Sequence, residues 1–139
     1  MPTITLSADS RSTAGILLLT IVAIEYGGWF LTRIVRGKVP MTEFQKSFAR
    51  AGHGHAGVLV ILGLLSQLFA DATRLHGFAA TVAHDGVPLA AILMSAGFFV
   101  SSAGKGDIQR PNALIYLVWL GAVSLAAGVV ALGIGLLAA

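Results

Sequence analysis

The sequence is poor in charged residues and contains no cysteine. Of its 139 residues only 11% are Asp, Glu, Lys or Arg, against about 25% in soluble domains, whereas 56% are hydrophobic. Too little polar surface is available to cover a soluble globule, so a lipid bilayer is the expected solvent. The lack of cysteine excludes disulfides, thiolate metal sites and thiol catalysis.

The few basic residues lie at the ends of apolar runs, which argues against nucleic acid as a partner despite the net charge of +3. Five lie in segment 33–50 and two in segment 105–110, whereas only Arg11 and Arg74 lie on the opposite side. The positive-inside rule therefore predicts a multi-pass protein of the cell membrane, with both basic linkers in the cytoplasm and both termini outside. Membrane lipids are its expected surroundings.

Four apolar runs are long enough to cross a bilayer: about 13–34, 51–70, 87–103 and 113–137. The first has about 22 residues, so a helix there would be about 33 Å long, enough for a hydrocarbon core of about 30 Å. It is too long for a signal peptide, and Ser12 or Thr13 could cap it. We predict an all-α fold, a four-transmembrane-helix bundle in a single domain, 1–139.

Polar residues predict where two of the helices begin. Thr42-x-x-Gln45 is typical of a capping box, which would start a short amphipathic lead-in to the second span. Asp85 could cap the third helix, because Pro88 suits a first helical turn.

Small residues recur at positions that favour close helix contacts. They are Gly27 and Gly28 in the first run, and Ser124, Ala127, Gly128, Ala131 and Gly135 in the fourth. The partner helix could belong to the same subunit or to another one. Because a chain of 14.3 kDa encloses little interior, we expect a homo-oligomer.

Ionisable residues inside an apolar run need a structural or chemical explanation. This chain has three that do: Glu25, His53 and His55. Each such group costs about 2.5–3.5 kcal/mol to insert. Glu25 lies about 12 Å along the helix from Arg33, and His55 about 7 Å inward from Arg50. If the first two helices pack together, Glu25 and His55 can meet in a buried polar site, with His53 nearby.

Three chemistries fit this predicted site, which could bind or translocate a small ligand, a proton or a metal ion. A carboxyl and an imidazole relay protons; His55 and Glu25 could ligate a metal; a histidine could bind haem. Gln67, in the same helix as the histidines, is a further candidate. However, His53 and His55 point about 200° apart on a regular helix. His53 could instead be interfacial, and Glu25 could be a structural carboxyl that joins helices.

The remaining polar residues receive structural interpretations. His76 and His84 are expected in an exposed loop, and Asp71 could pair with Arg74 three residues later. The serines of the third run are expected to bond to the backbone or between helices: Ser95, Ser101 and Ser102.

Two stretches resemble a group of small uncharacterised membrane proteins from actinobacteria. They are segment 50–59, Arg-Ala-Gly-His-Gly-His-Ala-Gly-Val-Leu, and segment 24–30, Ile-Glu-Tyr-Gly-Gly-Trp-Phe. This resemblance covers most of the chain and implies no activity.

The layout also resembles the four-helix membrane-associated proteins of eicosanoid and glutathione metabolism. The similar features are the length, the basic first linker, and a second helix entered through Phe-x-Arg-Ala and a polar pair, where this chain has Phe48-Ala-Arg-Ala and His53. The resemblance implies a homotrimer with a thiol cofactor, such as glutathione, at subunit interfaces.

Three functional hypotheses follow. The first is a binding or translocation protein that uses the Glu25 and His55 site. The second is a small membrane enzyme similar to the glutathione-dependent membrane transferases. The third is a structural or accessory subunit of a larger membrane complex.

Overall fold

The structure is a computed structural model that describes residues 5–139, and these residues form helices joined by short linkers, without any strand. The helices are α1, Ala8–Val35; α2, Glu43–Ala72; α3, Gly77–Ser101; and α4, Tyr116–Leu137, which a 3-10 turn at Ala113–Ile115 precedes. All four, with the 3-10 turn counted as part of α4, are long and apolar enough to cross a membrane. The all-α prediction is therefore confirmed, and the four helices fit a multi-pass membrane protein. The orientation of the bundle stays a prediction.

Helix α1 begins earlier than expected, because its first turn is bonded to the end of α2. Ser7 is the N-cap, and its hydroxyl oxygen accepts a hydrogen bond from the backbone N–H of Ser10 at 3.1 Å. The Asp71 carboxylate accepts from the backbone N–H of Ser7 at 2.8 Å and from the Ser10 hydroxyl at 3.0 Å. Ser12 and Thr13 therefore lie inside the helix, and the prediction that one of them caps it was wrong.

Asp71 does not form the predicted pair with Arg74. The ion pairs found within residues 5–139 are Lys46–Glu43 and His84–Asp85. Helix α2 ends at Ala72, so Arg74 lies beyond its last turn and the three-residue helical spacing does not apply. Asp71 uses its carboxylate to hold α1 instead.

Helix α3 begins at Gly77, ten residues before the predicted span, with His76 at the N-cap. Pro88 lies well inside the helix and Asp85 does not cap it, so both of these predictions were wrong. His84 is correspondingly a half-buried helical residue and not part of an exposed loop.

The early start of α3 has a tertiary cause. Ala83 and Val87, which are 1% and 0% exposed, pack with Leu132 of α4 in one apolar cluster. Burying this apolar surface outweighs the backbone hydrogen bond that Pro88 cannot donate.

The capping box at the start of α2 is confirmed, and it also holds the linker that follows α3. The Thr42 hydroxyl accepts from the backbone N–H of Gln45, whose side chain accepts from the Thr42 N–H. The Gln45 amide then donates to the carbonyls of Ser102 at 3.0 Å and Gly104 at 3.2 Å. The Thr42 hydroxyl donates to the carbonyl of Ile108. We call this end of the bundle, with linkers 36–42 and 102–112, the basic end.

The helices pack in chain order: α1 on α2, α2 on α3, and α3 on α4. Helices α3 and α4 approach most closely at Gly86 and Gly128, where a Cβ on Gly86 would lie 2.7 Å from the Gly128 Cα. The Ser124 hydroxyl donates to the Gly86 carbonyl at 2.8 Å. Ser124 and Gly128 therefore form a tight contact within one chain, as one of the two predicted alternatives stated.

Helix α1 is the least buried of the four and contacts mainly α2. Leu17, its largest buried residue near the middle, lies over Gly63 of α2, where an added Cβ would come within 3.1 Å of it. Leu17 also packs with Leu59, Val60 and Ala91. The helix is thus attached near its middle as well as at its first turn.

We predict that Gly128→Val destabilises the bundle, because a side chain at this position would meet the backbone of Gly86. Overpacking of this kind costs about 1–3 kcal/mol. Unfolding in mixed SDS micelles, followed by circular dichroism, measures the loss. Gly133→Val is the matched control, because nothing lies within 4 Å of a Cβ at Gly133. Equal stability of the two variants would contradict the close α3–α4 contact.

We predict that Asp71→Ala loosens the N-terminal half of α1, since the backbone N–H of Ser7 and the hydroxyl of Ser10 lose their acceptor. The loss should be about 1–3 kcal/mol, and amide hydrogen exchange should accelerate in the first turns of α1. Asp9→Ala, which removes an exposed carboxylate from the same turn, should have a smaller effect. Unchanged exchange in Asp71→Ala would show that α1 does not depend on this bond.

Candidate functional site

A groove of about 400 Å³ lies on the face of the bundle where α1 and α3 both flank α2. It exists because α1 packs mainly on α2 and leaves the space beside α3 unfilled. Small side chains on all three helices widen this space: Ala23, Gly27, Ala56 and Ala91. Most of the remaining lining is apolar: Ile16, Leu17, Ile24, Val60, Pro88, Ile92 and Phe99.

The groove has a few polar lining residues: Thr13, Thr20, His53 and Ser95. Thr20 is satisfied locally, because its hydroxyl donates to the backbone carbonyl of Leu17 at 2.7 Å. Thr13 lies near the start of α1, far from the basic end. His53 and Ser95 are therefore the polar groups that distinguish the basic half of the groove.

Ser95 is nine-tenths buried, and its hydroxyl has no hydrogen-bond partner among the described residues. Two serines at the end of α3 behave as predicted, since Ser101 and the C-cap residue Ser102 both donate to the backbone carbonyl of Phe98. An unpartnered buried hydroxyl costs about 1–3 kcal/mol. A ligand atom in the groove could supply the hydrogen bond that the protein does not.

His53 projects from α2 against the glycine pair of α1. A Cβ on Gly27 would lie 3.4 Å from the His53 Nδ1, and one on Gly28 would lie 3.5 Å from the Nε2. The two glycines thus give the imidazole room between α1 and α2, beside the groove. This close approach agrees with the sequence-based interpretation of Gly27 and Gly28 as positions where a neighbouring helix comes near.

His55 points to a different helix. Its Nδ1 lies 2.8 Å from the backbone carbonyl oxygen of Ala51, and its ring centroid lies 4.9 Å from that of Phe98 on α3. His53 and His55 therefore occupy different faces of α2, as their spacing indicates. It is His53, and not His55, that faces α1.

Glu25 is exposed on α1 and does not line the groove. Within residues 5–139 it has no hydrogen bond or ion pair with either histidine. The same residues contain no group of three or more His, Cys, Asp or Glu side chains that could hold a metal ion. A site formed by Glu25 and His55 alone stays a prediction.

Gln67 belongs to a different part of the bundle. It lies 14 residues after His53, so about 21 Å further along α2. It is fully buried, and its amide donates to the backbone carbonyl of His84 at 2.9 Å and to the Ser66 hydroxyl at 3.2 Å. Gln67 therefore joins α2 to α3, and the groove does not include it.

Helix contacts locate the two polar groups along the groove. A Cβ on Gly52 would lie 3.0 Å from the Phe99 ring, so Phe99 is level with Gly52 and its neighbour His53. Ser95 is one helical turn from Phe99, about 6 Å deeper in the bundle. The unpartnered hydroxyl therefore lies about one helical turn deeper than the imidazole, and both border the same apolar groove.

Comparison with protein-family models, with curated proteins and with solved structures found no match for this chain. The two resemblances stated above therefore stay predictions.

Ser95 is the candidate residue that sequence reasoning missed. A serine in a membrane helix is usually satisfied by its own backbone, and Ser101 and Ser102 conform to this pattern. Ser95 lies four residues before Phe99, so the two share a face of α3. This spacing locates Ser95 only once the structure shows that Phe99 faces α2.

We predict that Ser95→Ala leaves the ligand-free protein as stable as the parent or stabilises it by up to about 1 kcal/mol. The substitution removes a buried hydroxyl that has no partner, so no hydrogen bond is lost. Ser124→Ala, which removes a bonded hydroxyl, should destabilise instead. Unfolding in mixed SDS micelles measures both. Marked destabilisation by Ser95→Ala would show that its hydroxyl is bonded within the protein.

Proposed function

We propose that this membrane protein binds a small, mainly apolar molecule inside the bilayer, in the groove between α1, α2 and α3. The observation that carries the proposal is the Ser95 hydroxyl, which is buried and unpartnered in a mainly apolar lining that also includes His53. Polar groups placed sparsely in an apolar concavity are typical of small-molecule sites.

The dimensions of the groove support this proposal. Its volume of about 400 Å³ lies within the range of about 300–1,000 Å³ that ligand pockets occupy. Two of its lining residues, Ile16 of α1 and Ile92 of α3, are 64% and 66% exposed, so apolar side chains border its opening between these helices. A ligand dissolved in the bilayer could therefore enter without crossing a polar surface.

Binding is better supported than translocation. The polar residues His53 and Gln67 are separated by about 21 Å along α2, and Gln67 is enclosed between α2 and α3. The described residues between them on α2 are apolar or small, apart from His55 and Ser66. The described residues of α2 therefore do not form a continuous polar path that an ion could follow.

A glutathione-dependent activity receives no support from this groove. Glutathione carries two carboxylates and requires basic partners, whereas the lining residues within 5–139 include no lysine or arginine. The basic residues of the described chain lie mainly at and near the linkers of the basic end.

The proposal predicts that a bulky side chain in the groove displaces a bound molecule. The protein should be purified in mild detergent and analysed by native mass spectrometry for retained small molecules. Ala56→Trp should lose the retained mass because Ala56 lines the groove, whereas Val58→Trp, which is 66% exposed on another face, should keep it. The same retained masses in the parent and in Ala56→Trp would overturn the proposal.

An absorption spectrum and metal analysis of the same preparation separate this proposal from the metal and haem hypotheses. A Soret band or stoichiometric metal that is lost in His55→Ala, but kept in Ala56→Trp, would favour a histidine-centred cofactor over the groove.

A further inference from the structure

We infer that the groove selects a neutral lipid whose uncharged oxygen-bearing head group, a carbonyl or a hydroxyl, lies between His53 and Ser95. Isoprenoid quinones and long-chain prenols share this chemistry. The inference depends on the proposed function and specifies its ligand class.

The lining favours a ligand without charge. Among residues 5–139, the groove is lined by no Asp, Glu, Lys or Arg. An ion buried against apolar side chains is costly unless an opposite charge pairs with it. Fatty acids and phospholipid head groups carry such charges, so they are disfavoured relative to a neutral head of similar size.

The two polar residues match an uncharged oxygen. A serine hydroxyl both donates and accepts, and a neutral imidazole offers one donor and one acceptor. Either residue can therefore donate to a carbonyl, and either can exchange a hydrogen bond with a hydroxyl. Ser95 lacks any partner among the described residues, so a ligand oxygen would satisfy it without breaking an existing bond.

The remaining lining suits a long apolar chain. From Phe99 to Pro88 the groove follows α3 for 11 residues, about 16 Å, along side chains that are apolar except for Ser95. Leu17 and Val60 border the inner part of this path. A head group near His53 would therefore direct its tail away from the basic end.

The test is saturable binding of four radiolabelled probes to the protein in phosphatidylcholine nanodiscs. The probes are decylubiquinone, farnesol, palmitate and hexadecane, and Ala56→Trp defines the binding that belongs to the groove. We expect decylubiquinone or farnesol to bind with one molecule per chain. Palmitate and hexadecane should bind at least about tenfold more weakly, the effect expected when a charge is buried or a hydrogen bond is missing.

Variants identify the polar contacts. Ser95→Ala and His53→Gln should each weaken binding of the preferred neutral probe, Ser95→Ala by about tenfold, which is the scale of one lost hydrogen bond. His55→Gln is the matched control, because His55 faces Phe98 instead of the groove, and it should leave binding unchanged. Helical circular dichroism confirms that each variant is folded.

The outcomes separate this inference from the proposed function. Two outcomes would overturn the inference about the head group but leave the proposed binding function intact. One is that hexadecane binds in the groove as tightly as farnesol. The other is that Ser95→Ala does not weaken binding of the neutral probe. Tighter binding of palmitate than of either neutral probe would overturn it as well. No binding sensitive to Ala56→Trp, together with unchanged retained masses in that variant, would overturn both.

Discussion

The incomplete packing of α1 is the constraint on which the groove depends. This helix is attached to α2 by the Asp71 carboxylate at its first turn, by Leu17 over Gly63 near its middle, and by His53 against the glycine pair near its basic end. These attachments fix α1 along its length on one neighbour. They leave its other side without a helix, and the space beside α3 becomes a concavity lined from three directions.

The other half of the bundle is built in the opposite manner. Helices α3 and α4 meet through glycines, at Gly86 with Gly128 and at Gly121 with Met94, so closely that an added Cβ would overlap the neighbouring chain. Because protein interiors are close-packed and resist deformation, this pair provides a rigid wall. In the proposed binding mode, the ligand would therefore lie between this rigid wall and α1, which has a helix on one side only.

The histidines illustrate how much of the site the sequence determines. Their spacing indicates that His53 and His55 lie on different faces of α2, and the structure agrees. The spacing does not tell which of them faces α1, because the rotation of α2 about its axis depends on all its contacts. Depth along the helix made His55 the better partner for Glu25, whereas the observed rotation places His53 beside α1 and leaves Glu25 exposed.

Helix boundaries, like the histidine positions, depend partly on local sequence and partly on tertiary contacts. The capping box of Thr42 and Gln45 is local, since all its atoms lie within one turn, and the sequence predicts it correctly. The starts of α1 and α3 depend on Asp71 and on the packing of Ala83 against α4, which are distant in sequence. Residue types near each boundary therefore suggested later starts than the structure has.

The sequence by itself determined the all-α class and the presence of four helices apolar enough to span a membrane, because these depend on composition and on the length of apolar runs. Only the tertiary structure decided which side chains line the groove and which buried hydroxyl lacks a partner. Those properties depend on the rotation and spacing of helices, which are set by contacts between residues far apart in the chain.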